Sequence, residues 1–189
     1  MDTHVDRLRA ASAERDKEGL QSMRKILITG LVGLALTVPI AGCGGSSGDS
    51  ATQQAQQEQA DKYAIDQIEV DWHRASSTKD VDLMMSLWAP DATFTIGPET
   101  LTGTDQIRDF FVSKAAPFQP ENHWVSETPA YKIRTTVDGD KGTLYFECHY
   151  VDVKTGKVVA VVSADQNVEK INGKWLITNL AAATPILSP

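Results

Sequence analysis

The 189-residue chain is poor in cysteine, in aromatic residues and, after its first 25 residues, in clustered positive charge. With only two cysteines, Cys43 and Cys148, it cannot form a framework of several disulfides. From Cys43 to Pro189 it carries 12 basic and 20 acidic residues, a net charge of −8, and no basic run follows Lys25. This balance argues against nucleic acid and anionic lipid headgroups as partners, because both require clustered Lys and Arg.

Residues 23–42 have the order of charge and apolarity that is typical of a signal peptide. Arg24 and Lys25 precede an apolar stretch, 26–40, which is short and interrupted by Gly and Pro, unlike a membrane-spanning helix. The sequence Ile-Ala-Gly-Cys at 40–43 then resembles the lipobox of bacterial lipoproteins. That resemblance implies cleavage before Cys43, a lipid on its thiol, and a lipid-anchored protein of the cell envelope on the extracytoplasmic side of the membrane. The alternative is an ordinary secretory signal or membrane anchor in which the cysteine is incidental.

The segments on either side of this signal are polar. Residues 1–22 have mixed charge and do not suit a signal. Codons for residues 17–19 can read as a ribosome-binding sequence just before Met23. Our hypothesis is therefore that translation starts at Met23 and that 1–22 is an upstream extension assigned in error; a short cytoplasmic extension is the alternative. Residues 43–60, rich in Gly, Ser and Gln, are predicted to be the lipidated cysteine and a flexible linker; the alternative is that the Gln-rich end extends the next helix. Residues 61–189 have the size of one domain.

Apolar periodicity predicts three helices and one short strand in the first half of this domain. The second helix should begin at the N-cap Asp80 and end before Pro90, and the third should begin at 103–104 and stop near Pro117. The strand is predicted at 92–96, where β-forming residues alternate. One face of the first helix should be buried, and it consists of Ile65, Ile68, Trp72 and Ala75.

The second half of the domain is strand-like, with Gly-containing turns between its segments. The turns are predicted at Asp138-Gly139, Thr155-Gly156 and Asn172-Gly173. The four predicted strands are 122–136, 142–153, 157–170 and 174–184. Helices packed on one face of an amphipathic sheet define an α+β fold.

Four phrases of the sequence, in this order, resemble the SnoaL-like branch of the nuclear transport factor 2-like superfamily. They are 80–94 (Asp-Ala-Thr before a strand), 101–111 (Gly-x-x-x-Ile-x-x-Phe), 123–126 with 137–140 (a hairpin), and 172–177 (Gly-x-Trp-x-Ile). The resemblance implies a cystatin-like α+β roll, in which a curved antiparallel sheet wraps three N-terminal helices as a cone that is open at one end. It also implies a homodimer. Relatives include isomerases, cyclases, dehydratases, epoxide hydrolases and ligand-binding proteins, so the fold does not decide the function.

The same resemblance tests possible catalytic residues. Ile96 stands where the isomerases have a carboxylate base and Trp72 where they have a tyrosine donor, which argues against isomerisation. His123 matches a pocket histidine of the family, although a half-buried His bonded to backbone is the alternative. Gln166 stands where cyclases tend to carry an acid, and an amide does not titrate.

We therefore expect the domain to bind a small apolar molecule without catalysis, with no cofactor or metal. The first alternative is a dehydratase-like or cyclase-like lyase with His123 as acid and base. The second is a partner-binding module, or dimer, acting through Tyr145, Glu147 and His149 on the outer sheet face. We also expect His73 to face solvent and Cys148 to be buried. The predicted pocket residues are Trp72, Trp88, Phe94, Ile96, His123 and Gln166.

Overall fold

The computed structural model describes residues 46–181 and 184–187, so the predictions for 1–22, for the signal 23–42 and for Cys43 lie outside the described residues. The described residues contain the α-helices α1 (Ser46–Thr78), α2 (Val81–Met85) and α3 (Gly103–Ser113). Within these ranges no helix is both long enough and apolar enough to cross a bilayer. The strands are β1 (Trp88–Ile96), β2 (Glu99–Thr102), β3 (Trp124–Glu127), β4 (Arg134–Asp138), β5 (Lys141–Asp152), β6 (Lys157–Ile171), β7 (Lys174–Ala181) and β8 (Thr184–Leu187).

The strands form one eight-stranded sheet in the order β2-β1-β7-β6-β5-β3, with β4 also on β5 and β8 also on β6. The α+β prediction is confirmed, with one change: β1 and β7 pair in parallel, so the sheet is mixed. Register shifts place extra residues in β1, β6 and β7, and such bulges bend the strands that carry them. The sheet does not close, since β2 and β3 remain at its edges.

The helix α1 packs on the concave side of this sheet through the predicted face, because Ile65, Ile68, Trp72 and Ala75 are all at most 5% exposed. Its close approach depends on Gly142 of β5. A Cβ at that position would lie 2.5 Å from the backbone oxygen of Thr136 and 3.0 Å from Cδ1 of Ile65. A side chain there would therefore overlap the β4 backbone and press on the Ile65 side chain of α1.

The start of α1 corrects the predicted linker. Residues 46–60 continue the helix instead of forming a flexible chain. The segment is rich in Ala and Gln, which are good helix formers, and its Glu58 forms an ion pair of 2.7 Å with Lys62 one turn later. The predicted boundary at residue 60 therefore lies inside a helix.

Two strand predictions also need correction. The region predicted as one strand, 122–136, is divided into β3 and β4 by a 3₁₀ turn at Ala130–Lys132. Pro129 lies at this division, where it has no N–H to donate to a ladder. The short edge strand β2 was not predicted, and it pairs with β1 across the Gly97-Pro98 turn.

Candidate functional site

An apolar cavity of about 370 Å³ lies between the sheet and the segment that runs from α3 to residue 118. The strands β1, β3, β5 and β6 supply one wall, and α1 and α3 supply the other. The lining residues are Trp72, Phe94, Ile96, Phe110, Phe111, Lys114, Ala115, Ala116, Pro117, Phe118, Trp124, Cys148, Tyr150, Ala160, Val162 and Ala164.

The strand period explains why the sequence leaves a hollow here. On β6 the side chains of Ala160, Val162 and Ala164 point to the same face, and two of the three are methyl groups. The neighbouring strand β5 turns Cys148 and Tyr150 to that face. Small residues opposite large aromatic rings therefore leave the space unfilled.

Aromatic rings surround most of this space. The Trp72 ring centroid lies 5.8 Å from that of Phe111, edge to face, and Phe94 lies 5.1 Å from Phe110. At the β3 side, the rings of Trp124 and Tyr150 are 5.8 Å apart. These separations are typical of favourable aromatic pairs, so the walls are well packed around the cavity.

The polar groups of the cavity are uncharged near neutral pH, except for one lysine at its rim. Burial raises the pKa of the Cys148 thiol to about 12 and raises the pKa of the Tyr150 phenol well above its usual value. The Lys114 ammonium is paired with both carboxylate oxygens of Glu99, at 3.0 and 3.1 Å. The interior therefore suits neutral molecules, because a buried charge would find no partner.

The structure divides the predicted pocket residues into three groups. Trp72, Phe94 and Ile96 line the cavity. Trp88 is buried behind them, with its ring 6.0 Å from that of Trp72. Gln166 is 1% exposed and lies on the same face of β6, but two residues beyond the lining.

His123 lies elsewhere. Its side chain is exposed and does not line the cavity, while its backbone carbonyl accepts a hydrogen bond from the Val153 N–H. The prediction that placed its ring in the pocket is therefore corrected by the structure. The position precedes β3, whose inward residues begin at Trp124, so the strand register turns the next residue inward instead.

The prediction for His73 was wrong: the side chain is buried, at 7% exposure. Its Nδ1 lies 2.6 Å from Ser126 Oγ, and its Nε2 lies 2.5 Å from Thr128 Oγ1 and 3.1 Å from Glu69 Oε1. A signal was present in the sequence, since Ile65, Glu69 and His73 follow one another at i, i+4 and i+8, on a helix face next to the apolar one. Sequence reasoning missed this cluster because it assigned polar residues to solvent.

The predicted interface residues lie on the outer face of the sheet, where they bond to one another. Glu147 accepts hydrogen bonds from Lys132 at 2.9 Å and from the Tyr145 hydroxyl at 3.1 Å, and it lies 3.3 Å from His149. The Lys132 ammonium holds the pKa of Glu147 below its usual value. The Arg134 guanidinium stacks on the Tyr145 ring at 3.8 Å.

Metal binding finds no support in the side chains that the structure describes, because no group of three or more His, Cys, Asp or Glu residues is placed to hold an ion. The buried Cys148 is a free cysteine, as predicted, and its high pKa keeps it a thiol.

A mixed curved sheet packed on a long helix, with an apolar cavity beside it, is the architecture of a cystatin-like α+β roll. The family model of the SnoaL-like domain matches residues 57–181, and the chain belongs to this family. Among proteins of curated function, none matches the chain in sequence.

Solved structures of the same fold resemble this chain at low sequence identity. A cystatin-like protein of unknown function from Nostoc punctiforme has a TM-score of 0.58 at 17% identity, covering 68% of this chain and 94% of that one. A nuclear transport factor 2-like protein of unknown function from Pseudomonas putida has a TM-score of 0.57 at 14% identity, with 69% and 98% covered. A type 2 hexachlorocyclohexane dehydrochlorinase has a TM-score of 0.52 at 20% identity, with 69% and 92% covered. At these identities the likeness concerns the fold alone.

Proposed function

We propose that the domain binds a small, neutral, mostly apolar molecule in the cavity between β6 and α3. The observation that carries this proposal is the lining, in which aromatic rings and alanine methyl groups surround about 370 Å³. That volume falls in the range of about 300–1,000 Å³ that small-molecule sites occupy. The protonated thiol of Cys148 and phenol of Tyr150 favour a neutral ligand over an ion.

A neutral hydrophobic fluorophore, N-phenyl-1-naphthylamine, tests this proposal directly. We expect saturable fluorescence enhancement with the wild-type domain, and its loss in Ala164→Phe, where the added ring would fill the cavity. Val70→Phe is the matched control, because Val70 is 47% exposed on α1 and does not line the cavity. Circular dichroism establishes that each variant is folded. Equal fluorophore affinity in Ala164→Phe and the wild type would refute the proposal.

We further propose that the protein is a bacterial lipoprotein, anchored through a lipid on Cys43 at the extracytoplasmic side of the membrane. The support is the sequence of the signal, with its basic residues, apolar core and Ile-Ala-Gly-Cys at 40–43. Intact-mass spectrometry of the membrane-purified protein should find a chain that begins at Cys43 and carries acyl groups. Cys43→Ser should abolish the lipid, whereas Cys148→Ser should leave it. An unacylated chain that retains residues before Cys43 would contradict this assignment.

The alternative function, a lyase, was predicted to use His123 as its base, and the position of His123 does not favour this role. The dehydrochlorinase with this fold is named for an elimination reaction, but the likeness to it is in fold only. His123 is exposed, and the strand register that turns Trp124 inward turns the His123 ring away from a molecule held in the cavity.

The homodimer through the outer sheet face remains a proposal as well. The charged side chains there are paired within the chain, so the contact would use the stacked ring of Tyr145 rather than free charges. Light scattering after chromatography should detect a dimer in the wild type and a monomer in Tyr145→Asp, with fluorophore binding retained. A wild type that is monomeric at high concentration would refute it.

A further inference from the structure

A buried polar cluster joins α1 to β3 beside the cavity. Glu69, His73 and Ser126 are 8%, 7% and 9% exposed, and each contacts the next: Glu69 Oε1 is 3.1 Å from His73 Nε2, and His73 Nδ1 is 2.6 Å from Ser126 Oγ. A carboxylate, an imidazole and a hydroxyl in this order form the hydrogen-bonded series of serine hydrolases. Burying these polar groups costs free energy unless they are hydrogen-bonded, and the bonds that compensate this cost also hold α1 on β3.

The bonds around the imidazole determine which nitrogen carries its proton. The Thr128 hydroxyl donates its hydrogen to the backbone oxygen of Glu147 at 2.8 Å, so toward His73 it can only accept. His73 Nε2 must therefore carry the hydrogen, which also faces Glu69. In the neutral ring Nδ1 is then an acceptor, and the Ser126 hydroxyl donates to it. This is the arrangement in which a histidine withdraws a proton from serine.

Strand β3 places Ser126 on the cavity side of the sheet. Trp124, two residues earlier on the same face, lines the cavity, and so does Tyr150, the direct partner of Ser126 on β5. The Cys148 thiol, which also lines the cavity, lies against Ser126. Ser126 itself does not line the cavity, so its reaction with a molecule held there requires the neighbouring Cys148 side chain to turn aside. The Ser77 hydroxyl fixes its backbone by accepting the Ser126 N–H at 2.8 Å.

Two buried donors near this point have no hydrogen-bond partner in the part of the chain that the structure describes. They are Trp72 Nε1, on a side chain that lines the cavity, and Ser76 Oγ, one helical turn further along α1. Both lie beside the phenol of Tyr150. An unpaired buried donor costs about 1–3 kcal/mol. The Cys148 thiol contacts both Trp72 and Ser126, so the Trp72 donor lies one side chain from the hydroxyl that is bonded to histidine, on the side where an oxygen would gain negative charge during a reaction.

We propose that Ser126 is an activated nucleophile that transfers acyl groups from neutral esters held in the cavity, with His73 as its base. The inference rests on the proposed ligand-binding role of that cavity. Ser126 Oγ forms a bond to the ester carbonyl carbon while its proton moves to His73 Nδ1. The carbon–oxygen bond to the alcohol then breaks, and the alcohol leaves with that proton. Water, deprotonated by His73, hydrolyses the acyl-Ser126 and regenerates the hydroxyl. Glu69 is a positioning residue that acts through His73.

The test uses diisopropyl fluorophosphate, a small neutral reagent that phosphorylates activated serines. Ser126 Oγ displaces fluoride from phosphorus, and its proton passes to His73. We expect peptide mass spectrometry of the folded wild-type protein to locate the adduct on Ser126, and we expect His73→Gln to lower its rate at least 100-fold. Ser86→Ala is the matched control, because its hydroxyl donates to the backbone oxygen of Leu83 at the end of α2, away from His73. It should still form the adduct on Ser126.

Two outcomes would overturn the proposal. One is a folded wild-type protein in which Ser126 stays unmodified after hours at millimolar reagent. The other is an adduct on Ser126 that forms equally fast in a folded His73→Gln variant. For Glu69→Gln we expect the limiting rate of adduct formation to fall, while the reagent concentration that gives half of this rate stays unchanged. A purely structural role of Glu69 would alter both quantities or neither.

The binding role and the chemistry can fail separately. Ser126→Ala should bind N-phenyl-1-naphthylamine like the wild type while forming no adduct at residue 126. Loss of fluorophore binding in the wild type would refute the cavity as a ligand site. Retained binding without an adduct would refute only the nucleophile.

Discussion

The contact most open to a quantitative test is the one that holds the first half of α1 on the sheet. The Asp61 carboxylate accepts hydrogen bonds from Lys170 at 2.7 Å, from Trp175 Nε1 at 2.9 Å and from Gln57 at 3.0 Å. The Lys170 ammonium is the main cause that lowers the pKa of Asp61 from 3.8 to about 2. We predict that Asp61→Asn, which keeps the shape but removes the charge, destabilises the domain at neutral pH.

The magnitude follows from the pKa difference between the folded and the unfolded chain. Each pKa unit corresponds to about 1.4 kcal/mol, so the charged form of Asp61 contributes about 2 kcal/mol to the free energy of unfolding. Because the folded-state pKa is the lower one, this contribution is complete above about pH 3.8 and is lost as the pH falls through 2. The difference between wild type and Asp61→Asn should therefore be about 2 kcal/mol at pH 7 and should shrink toward zero near pH 2.

Urea unfolding followed by tryptophan fluorescence, from pH 7 to pH 2, measures both proteins. Taking their difference cancels the contributions of other carboxylates whose pKa is lowered, such as Glu147 and Asp152. Asp82→Asn is the control, since the Asp82 side chain is 86% exposed and its ion pair with Arg108 should contribute little. A difference that stays constant between pH 7 and pH 2 would refute the reasoning.

Three further predictions concern the backbone, the free thiol and a helix cap. Gly142→Ala should destabilise the domain by about 1–3 kcal/mol in urea unfolding, because its Cβ would overlap the Thr136 carbonyl; unchanged stability would mean that β4 can shift to relieve the overlap. In a Cys43→Ser background, Cys148 should react with a water-soluble disulfide reagent only as fast as the domain unfolds, because the thiol is buried and protonated; fast reaction at pH 8 without unfolding would contradict this. Asp80→Ala should cost about 1 kcal/mol by thermal unfolding, because the side chain accepts the N–H of residue 83 at the start of α2; Asp80→Ser should retain most of the stability, and equal losses in both variants would argue against capping.

The parts of the fold that depend on local sequence were predicted correctly. The N-cap Asp80, the buried face of α1 and the three Gly-containing turns are all present, and the glycines of these turns, Gly139, Gly156 and Gly173, have positive φ. Each feature requires residues close together in the chain, which is why a pattern could reveal it. The parallel pairing of β1 with β7 joins segments about 80 residues apart, and no local pattern encodes it.

The candidate site was predicted in part, and the errors have a common physical cause. The aromatic wall residues Trp72 and Phe94 were found from apolarity and family resemblance, since burial of rings is visible in the sequence. His73 was missed because its burial depends on partners that only the fold supplies. Ser126 and Thr128 lie more than 50 residues away along the chain.

The contrast between the two histidines bears on where chemistry could occur in this domain. His123 carried the family resemblance, yet it is exposed and its ring lines no cavity. His73 carried none, yet its neighbours on both ring nitrogens fix its tautomer and orient it toward a hydroxyl beside the cavity. Natural chains tend to break the rule that polar residues face water where function requires it, because a buried polar group must be compensated by specific partners. The cluster of Glu69, His73 and Ser126 at the inner face of α1 is therefore the place to search for a reaction. The rate of adduct formation at Ser126 decides whether the hydrogen bonds of this cluster serve catalysis or only hold α1 to β3.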